Sequence, residues 1–193
     1  MRFFVLIVLF SLLSCSNHNN DYKSAFGGCG KTKLVSISEI KTLPVYKDIA
    51  AVKLGSFDTR EQMPRDKNNN IDLNGFLELK EVSGSGKDSL FNILVNYDTG
   101  DSARSISACY EPRNAMLFFD SKGAIIGYVE ICFACRDQDI SPSNLQVGKF
   151  CDEKYEAILK FFERNGIEFG ITPESYMPAS EIWNRLRSKK ETK

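Results

Sequence analysis

Cysteine is the residue type of this chain whose spacing could carry chemistry, and the 193 residues contain six of them. Cys132 and Cys135 form a Cys-x-x-Cys pair, with Cys109 before it and Cys151 after it. Thiols with such spacings can form disulfides, hold a tetrahedral zinc ion or exchange electrons with another thiol pair. We therefore take Cys109, Cys132, Cys135 and Cys151 as the candidate disulfide or metal residues and assign no residue a catalytic role.

The predicted strands bring Cys109, Cys132 and Cys135 to one end of a sheet, and Cys151 joins them if the helix that follows it packs across the sheet. Apolar runs and turn residues predict a three-stranded antiparallel meander with strands at residues 104–110, 115–120 and 124–133. Its outer strands run in the same direction, two strand spacings or roughly 9 to 10 Å apart. A disulfide allows only about 7 Å between Cα atoms. Cys109 would therefore pair with Cys135 or Cys151, or a zinc ion would sit among all four sulfurs.

The residues around the Cys-x-x-Cys pair argue against zinc and redox chemistry. The segment from Cys132 to Arg136 lacks the glycine and proline that usually shape a zinc-binding turn. A thioredoxin-like protein needs its first cysteine at the amino end of a helix, whereas residues 136–144 are rich in turn formers and are predicted as loop. The sequence therefore favours structural disulfides over metal binding, redox catalysis and free thiols. No cofactor is expected, and zinc is the less favoured alternative.

The start of the chain carries an export signal. A basic residue precedes the unbroken apolar run 3–10 and the ending Leu12-Leu13-Ser14-Cys15, which is typical of a cleaved secretory signal peptide. The run is shorter than the ~20 residues that a membrane-spanning helix needs. The ending resembles the lipobox of bacterial lipoproteins, although Leu13 is bulkier than the small residue usual there. This resemblance implies cleavage before Cys15 and lipid on its sulfur; the alternative is an ordinary signal with an incidental cysteine.

A lipid on Cys15 would hold the domain on a membrane of the bacterial cell envelope, outside the cytoplasm. Stable attachment takes several acyl chains, since one chain alone binds a membrane weakly. Such a compartment is oxidising and permits disulfides. Five cysteines then remain, so at least one of them is free, intermolecular or metal-bound, and the sequence assigns no role to Cys29.

Composition divides the chain into four parts. Residues 1–14 are the predicted signal peptide, 15–33 a lipidated polar tether, 34–187 a single globular domain and 188–193 a disordered tail. His18, the one histidine, lies in the tether, so a histidine-based catalytic triad is not expected in the domain. Removing residues 1–14 takes away Arg2 and no acid, which leaves 24 basic and 25 acidic side chains. This balance argues against nucleic acid as a partner.

Local periodicity predicts an α+β fold, a single domain with the meander at its centre and helices flanking it. The apolar stripe Tyr155, Ile158, Leu159 and Phe162 predicts a helix over 152–165, with Asp152 as N-cap and Gly166 as its stop. The strand over 115–120 is apolar on both faces and is therefore predicted to be central. The other predicted elements are a short element over 35–40, a strand over 49–54, a loop over 60–70, helices over 75–82 and 88–97 separated by residues 83–87, a strand over 167–171 and a helix from Ser180 in which Trp183 docks.

Acidic residues give two further candidates for chemistry. Asp66, Asn68, Asn70, Asp72 and Asn74 alternate as the ligands of a calcium-binding loop do. Ile71 and Leu77 stand where such a loop needs glycine and glutamate, so an asparagine-rich surface loop is the favoured interpretation. Glu130, in the third predicted strand of the meander, is interpreted as a rim carboxylate facing water. The alternative is a buried functional acid, for which the sequence shows no paired acid.

A second resemblance concerns the body of the chain. The motifs are Cys-Tyr-x-Pro-Arg from Cys109, Phe-Phe-Asp from Phe118 and Gly-Tyr-Val-Glu-Ile-Cys-Phe-x-Cys from Gly127. They resemble a pattern of small bacterial lipoproteins, a likeness that implies no particular activity. The sequence thus predicts an exported, membrane-anchored lipoprotein whose non-catalytic domain binds a protein or a small molecule. The alternative is a thiol-dependent redox protein or a cysteine metal-binding protein.

Overall fold

The computed structural model describes residues 34–59, 62–98 and 110–171. These residues form one five-stranded antiparallel sheet and three α-helices, so the predicted α+β class is confirmed. No helix in the described ranges is long and apolar enough to cross a membrane. The predicted signal peptide, tether, final helix and tail lie outside these residues, and so do Cys15, Cys29 and Cys109.

The five strands are β1 (Ala51–Ser56), β2 (Glu78–Glu81), β3 (Asn114–Phe119), β4 (Ile125–Cys132) and β5 (Asp137–Ser141). Their order in the sheet is β2-β1-β3-β4-β5, and each neighbouring pair is antiparallel. All residues of β3 are buried, which confirms its predicted central position. Its two neighbours are β1 and β4. Of the strand predicted over 104–110, only Tyr110 is described, and it belongs to no strand.

The three helices are α1 (Ile37–Ile40), α2 (Gly84–Asn96) and α3 (Asp152–Arg164). The predicted apolar stripe of α3 faces the core, with Tyr155, Ile158 and Phe162 buried. The helix ends in a Schellman motif, in which Ile167 N donates to Phe162 O at 3.2 Å and Gly166 N donates to Glu163 O at 3.0 Å. The φ of Gly166 is +77°, so the predicted glycine stop is confirmed.

Three predicted elements are wrong, and in two of them pairing with a neighbouring strand overrides local preference. The helix over 75–82 is instead a short 3-10 turn, Leu73–Gly75, followed by β2 at the edge of the sheet. The loop over 136–144 contains β5, which pairs with β4. The strand over 167–171 is replaced by a turn at Gly170, whose φ is +78°.

The starts of the two long helices also differ from the prediction. The Ser83 hydroxyl accepts a hydrogen bond from Gly86 N at 3.2 Å and caps α2, so residues 84–87 belong to this helix and do not separate it from another. The first N–H groups of a helix have no partner within it, and a side-chain cap satisfies one of them. The N-cap of α3 is Cys151, without a side-chain hydrogen bond, and Asp152 is the first helical residue.

The sheet is covered on both faces, by different kinds of structure. On one face, α2 and α3 pack on a large apolar core that includes Met116, Phe118 and Val129 of the strands. On the other face, Ala115 and Leu117 of β3 pack in a smaller cluster with Phe57 and Met63. Met63 belongs to residues 62–77, between β1 and β2, which we call the covering loop. This loop brings polar side chains close to β4 and β5.

Candidate functional site

The Cys-x-x-Cys pair lies at the turn between β4 and β5. Cys132 ends β4, Cys135 lies in the turn, and the two form a disulfide whose Cα atoms are 5.6 Å apart. Cys132 is only 2% exposed. Two of the four candidate cysteines are thus joined directly to each other, a pairing that the argument from strand spacing did not single out.

Cys151 lies at the start of α3, beside this turn. Arg136, the residue after Cys135, forms ion pairs with Asp152 and, at 3.5 Å, with Glu156. Cys151 is fully buried and disulfide-bonded. Since Cys132 and Cys135 bond to each other, the partner of Cys151 lies outside the described residues. No group of three or more histidine, cysteine or acidic side chains in the described part of the chain could hold a metal ion.

The surroundings of the Cys132–Cys135 disulfide differ from those of a thiol oxidoreductase. The turn leads into β5, whereas a thioredoxin-like protein places its first cysteine at the amino end of the helix that follows it. The burial of Cys132 also hinders attack by another thiol, since exchange needs access to a sulfur. The disulfide therefore closes the β4–β5 hairpin, and the half-buried Cys135 is the more accessible of its two sulfurs.

Glu130 is buried, and its interpretation as a rim carboxylate is wrong. Only 3% of the residue is exposed, because the covering loop lies over this face of β4. The carboxylate accepts hydrogen bonds from Met63 N and from the Tyr110 hydroxyl, the latter at 3.1 Å. Burial raises the pKa of Glu130, while these hydrogen bonds and the charge of Arg65 act in the opposite direction.

A second carboxylate lies opposite Glu130, although the sequence showed no paired acid. Asp139 of β5 is the register partner of Glu130 on β4, and its carboxylate is 3.0 Å from the Tyr128 hydroxyl. Burial and the bond to Asp139 raise the pKa of Tyr128. Burial and the charge of Glu130 raise the pKa of Tyr110. Spacing by two places Tyr128 and Glu130 on one face of a strand, but Asp139 could not be added without recognising β5.

Four residues form a carboxylate–tyrosine cluster: Tyr110, whose hydroxyl donates to Glu130, and Tyr128, whose hydroxyl donates to Asp139. The hydrogen bond from Met63 N to Glu130 fastens the covering loop to the sheet. Because Glu130 is buried, its carboxyl group is not presented to a substrate in solution. The cluster can hold the covering loop in place. Contact with a ligand from solution on this face of the sheet is therefore left to the residues at the rim of the loop.

A cleft of about 530 Å³ lies beside the cluster, between the covering loop on one side and the end of β3 and the start of β4 on the other. Phe119, Ile125 and Tyr128 line it from the sheet, and Arg65 and Ile71 line it from the loop. Arg65 is the one charged residue among those that line the cleft. We call this feature the Arg65 cleft. Arg65 could not be predicted from the sequence, because nothing local distinguishes it from other loop arginines.

Lys154 is a buried amine that was not predicted from the sequence. The residue is fully buried on α3, and its Nζ donates to Leu94 O at 2.9 Å, to Val147 O and, at 3.2 Å, to Lys149 O. Burial lowers the pKa of Lys154 to about 7, while the charge of Asp98 raises it. The helical spacing in the sequence could have predicted its burial, because Lys154 stands four residues before Ile158 and seven before Phe161 on the buried face of the helix.

Asp66, the first residue of the calcium-like pattern, closes a turn within the covering loop. Its Oδ1 accepts from Asn68 N and Asn70 N, both at 2.8 Å, and its Oδ2 accepts from Asn70 Nδ2 at 3.1 Å. The hydrogen bonds from Asn70, and then that from Asn68, lower the pKa of Asp66. These bonds are those expected of an asparagine-rich turn.

No protein-family model, no curated protein and no solved structure matches this chain.

Proposed function

We propose that this protein is an exported lipoprotein, held on a membrane of the bacterial cell envelope by lipid on Cys15, whose domain binds a partner or ligand without catalysis. The signal sequence and its lipobox-like ending support the anchor. The observation that carries the rest is the state of the described cysteines, since Cys132, Cys135 and Cys151 are all in disulfides. Disulfides of this kind persist in an oxidising compartment, and they leave none of these three sulfurs free as a nucleophile.

Thiol-disulfide exchange is the second candidate function, and one observation favours it. The Cys-x-x-Cys pair is closed as a disulfide in a turn, as an oxidising member of such a family would require. The burial of Cys132 and the strand that follows the turn argue for a structural role instead. We therefore rank exchange below ligand binding.

Lipid anchoring can be tested by replacing Cys15 with serine. The Cys15→Ser protein should lose incorporated radioactive palmitate and move from the membrane pellet to the soluble fraction, because the sulfur that carries the lipid is gone. Cys29→Ser, a change of the same kind in the predicted tether, is the matched control and should keep both label and membrane attachment. Palmitate label on the Cys15→Ser protein would contradict the assignment.

Disulfide mapping before and after mild reduction distinguishes the two functions, because a structural disulfide should resist a reductant that opens an exchanging one. Tryptic peptide 123–136 contains Cys132 and Cys135 and no other cysteine. From native, unreduced protein treated with iodoacetamide, this peptide should be unalkylated and lighter by two hydrogen atoms than its reduced form. We further propose Cys109 as the partner of Cys151, so that peptides 105–113 and 150–154 should be recovered as one cross-linked species. Ready alkylation of peptide 123–136 without reductant would instead support thiol chemistry.

A further inference from the structure

We propose that the Arg65 cleft binds a small organic carboxylate with a flat apolar body. The inference rests on the proposed ligand-binding role of the domain and names the site and the ligand class. Ligand sites in proteins are mostly apolar clefts in which a few polar groups fix the orientation of the ligand. This cleft combines an apolar wall on the sheet with one cation on the loop.

The guanidinium of Arg65 is held in place but keeps donors available. It lies over the ring of Tyr128, with Cζ 5.7 Å from the ring centroid. One terminal nitrogen donates to Asn69 O at 3.0 Å, and the other is 3.4 Å from the Tyr128 hydroxyl. A guanidinium has five N–H donors arranged as a planar fork, so further donors are available to an incoming carboxylate. A side chain fixed in this way loses little entropy when it binds.

The charge of Arg65 is not neutralised at contact distance. No described carboxylate lies within 4.0 Å of its nitrogens, although five other ion pairs in the described residues meet that criterion. Glu130 influences Arg65 through space, but it is buried behind the loop and bonded to Met63 and Tyr110. Asp139 is bonded to Tyr128 and does not line the cleft. One positive charge facing a cleft without an acid favours one negative charge in the ligand.

The apolar part of the lining favours an apolar ligand body. Phe119, Ile125, Ile71 and Leu73 supply ring and branched aliphatic surface, while Asn69, Asn70 and Ser141 add polar groups to the cleft. Pro142 also lines the cleft, and it lies close to the glycine at residue 127, where a Cβ would be 2.9 Å from Ser141 O and 3.1 Å from Pro142 Cδ. A volume of about 530 Å³ suits a single small organic molecule. An aromatic carboxylate meets the charge, the shape and the polarity together.

Benzoate is a suitable probe, and benzamide is its neutral counterpart of the same shape. In ¹H–¹⁵N NMR spectra of the ¹⁵N-labelled full chain, benzoate should shift the Arg65 Nε–H signal and the backbone amides of residues 65–71. The shifts should saturate with a dissociation constant of about 1 mM or lower. Benzamide should bind at least about tenfold more weakly, because it cannot pair with the guanidinium charge.

Arg65→Gln should weaken benzoate binding at least about tenfold, and Arg65→Lys should weaken it less, since it keeps the charge and loses the fork. Arg164→Gln, on the exposed side of α3, is the matched control and should bind benzoate as the unchanged protein does. The proposal is overturned by an absence of saturable shifts, by equal binding of benzoate and benzamide, or by undiminished binding in both Arg65 variants. Membrane attachment is read independently with Cys15→Ser, so a failure of the cleft and a failure of the anchor are distinguishable.

Discussion

At about pH 10, where little of the cost of deprotonating the buried amine remains, replacing Lys154 with methionine should lower the free energy of unfolding by about 3 kcal/mol. Methionine retains most of the apolar stem but has no N–H donor. The buried carbonyls of Leu94 and Val147 and the partly buried carbonyl of Lys149 would then lose the amine that now bonds them. The end of α2 and the segment before α3 would lose their common attachment. Urea denaturation at a fixed pH measures the loss.

Lys160→Met is the matched control for Lys154→Met, because it makes the same change on the exposed side of the same helix. We expect it to alter stability by no more than about 0.5 kcal/mol. If Lys154→Met also costs less than about 1 kcal/mol, the three hydrogen bonds are not the attachment described here.

The free energy of unfolding should change with pH because Lys154 titrates at a different pH in the folded and unfolded protein. Its pKa is about 7 in the folded protein against an ordinary value of 10.5, so between these values the unfolded chain binds more protons than the folded one. Stability contributed by this group therefore increases as pH rises from about 7 towards 10.5 and is lost as pH falls back through that window. The rise should be absent from Lys154→Met, which has no group to titrate.

Replacing Glu130 with alanine should lower the free energy of unfolding by about 3 kcal/mol. The change leaves Met63 N and the Tyr110 hydroxyl without their acceptor and opens a cavity between the covering loop and the sheet. Glu130→Gln should be far less costly, since an amide of the same size can accept from Met63 N and donate to the Tyr110 oxygen. Glu163→Ala, at an exposed position of α3, should be nearly neutral. Alanine and glutamine variants of equal stability would contradict this account.

The charge of Glu130 predicts a further difference between the original protein and Glu130→Gln. Because burial raises the folded-state pKa of this group above its ordinary 4.5, the unfolded chain loses its proton first as pH rises. The stability that Glu130 contributes is fully present below pH 4.5 and declines as pH rises through the folded-state pKa. Glu130→Gln should lack this decline, so its stability relative to the original protein should improve from acid to neutral pH.

The elements that could be predicted from the sequence are those with a strong local period or a clear end signal. The stripe Tyr155, Ile158 and Phe162 predicts α3, and Gly166 supplies the positive φ that ends it. The run over 115–120 is apolar on both faces, which identifies β3 as the centre of the sheet. At α3 and β3 the intrinsic preferences of the residues, their apolar periodicity and the tertiary structure all favour the same element. Such agreement is what a minimally frustrated sequence shows.

The edge strands could not be predicted in the same way. β2 reads Glu-Leu-Lys-Glu and β5 reads Asp-Gln-Asp-Ile-Ser, and residues of these types have little intrinsic preference for strands. They are strands because β1 and β4 offer unpaired backbone groups at the edges of the sheet. Charged side chains on an edge strand also discourage pairing with another chain, so their polarity is compatible with the position.

The sequence by itself determined the α+β class, the central strand, the last described helix and the set of cysteines available for bonding. Only the tertiary structure decided that Cys132 bonds to Cys135, that Glu130 is sealed beneath the covering loop and that Lys154 bonds the end of α2. The physical reason is distance along the chain. Turns, caps and periodicity act over a few residues, whereas the burial of a carboxylate or an amine depends on segments about 60 residues away that fold over it.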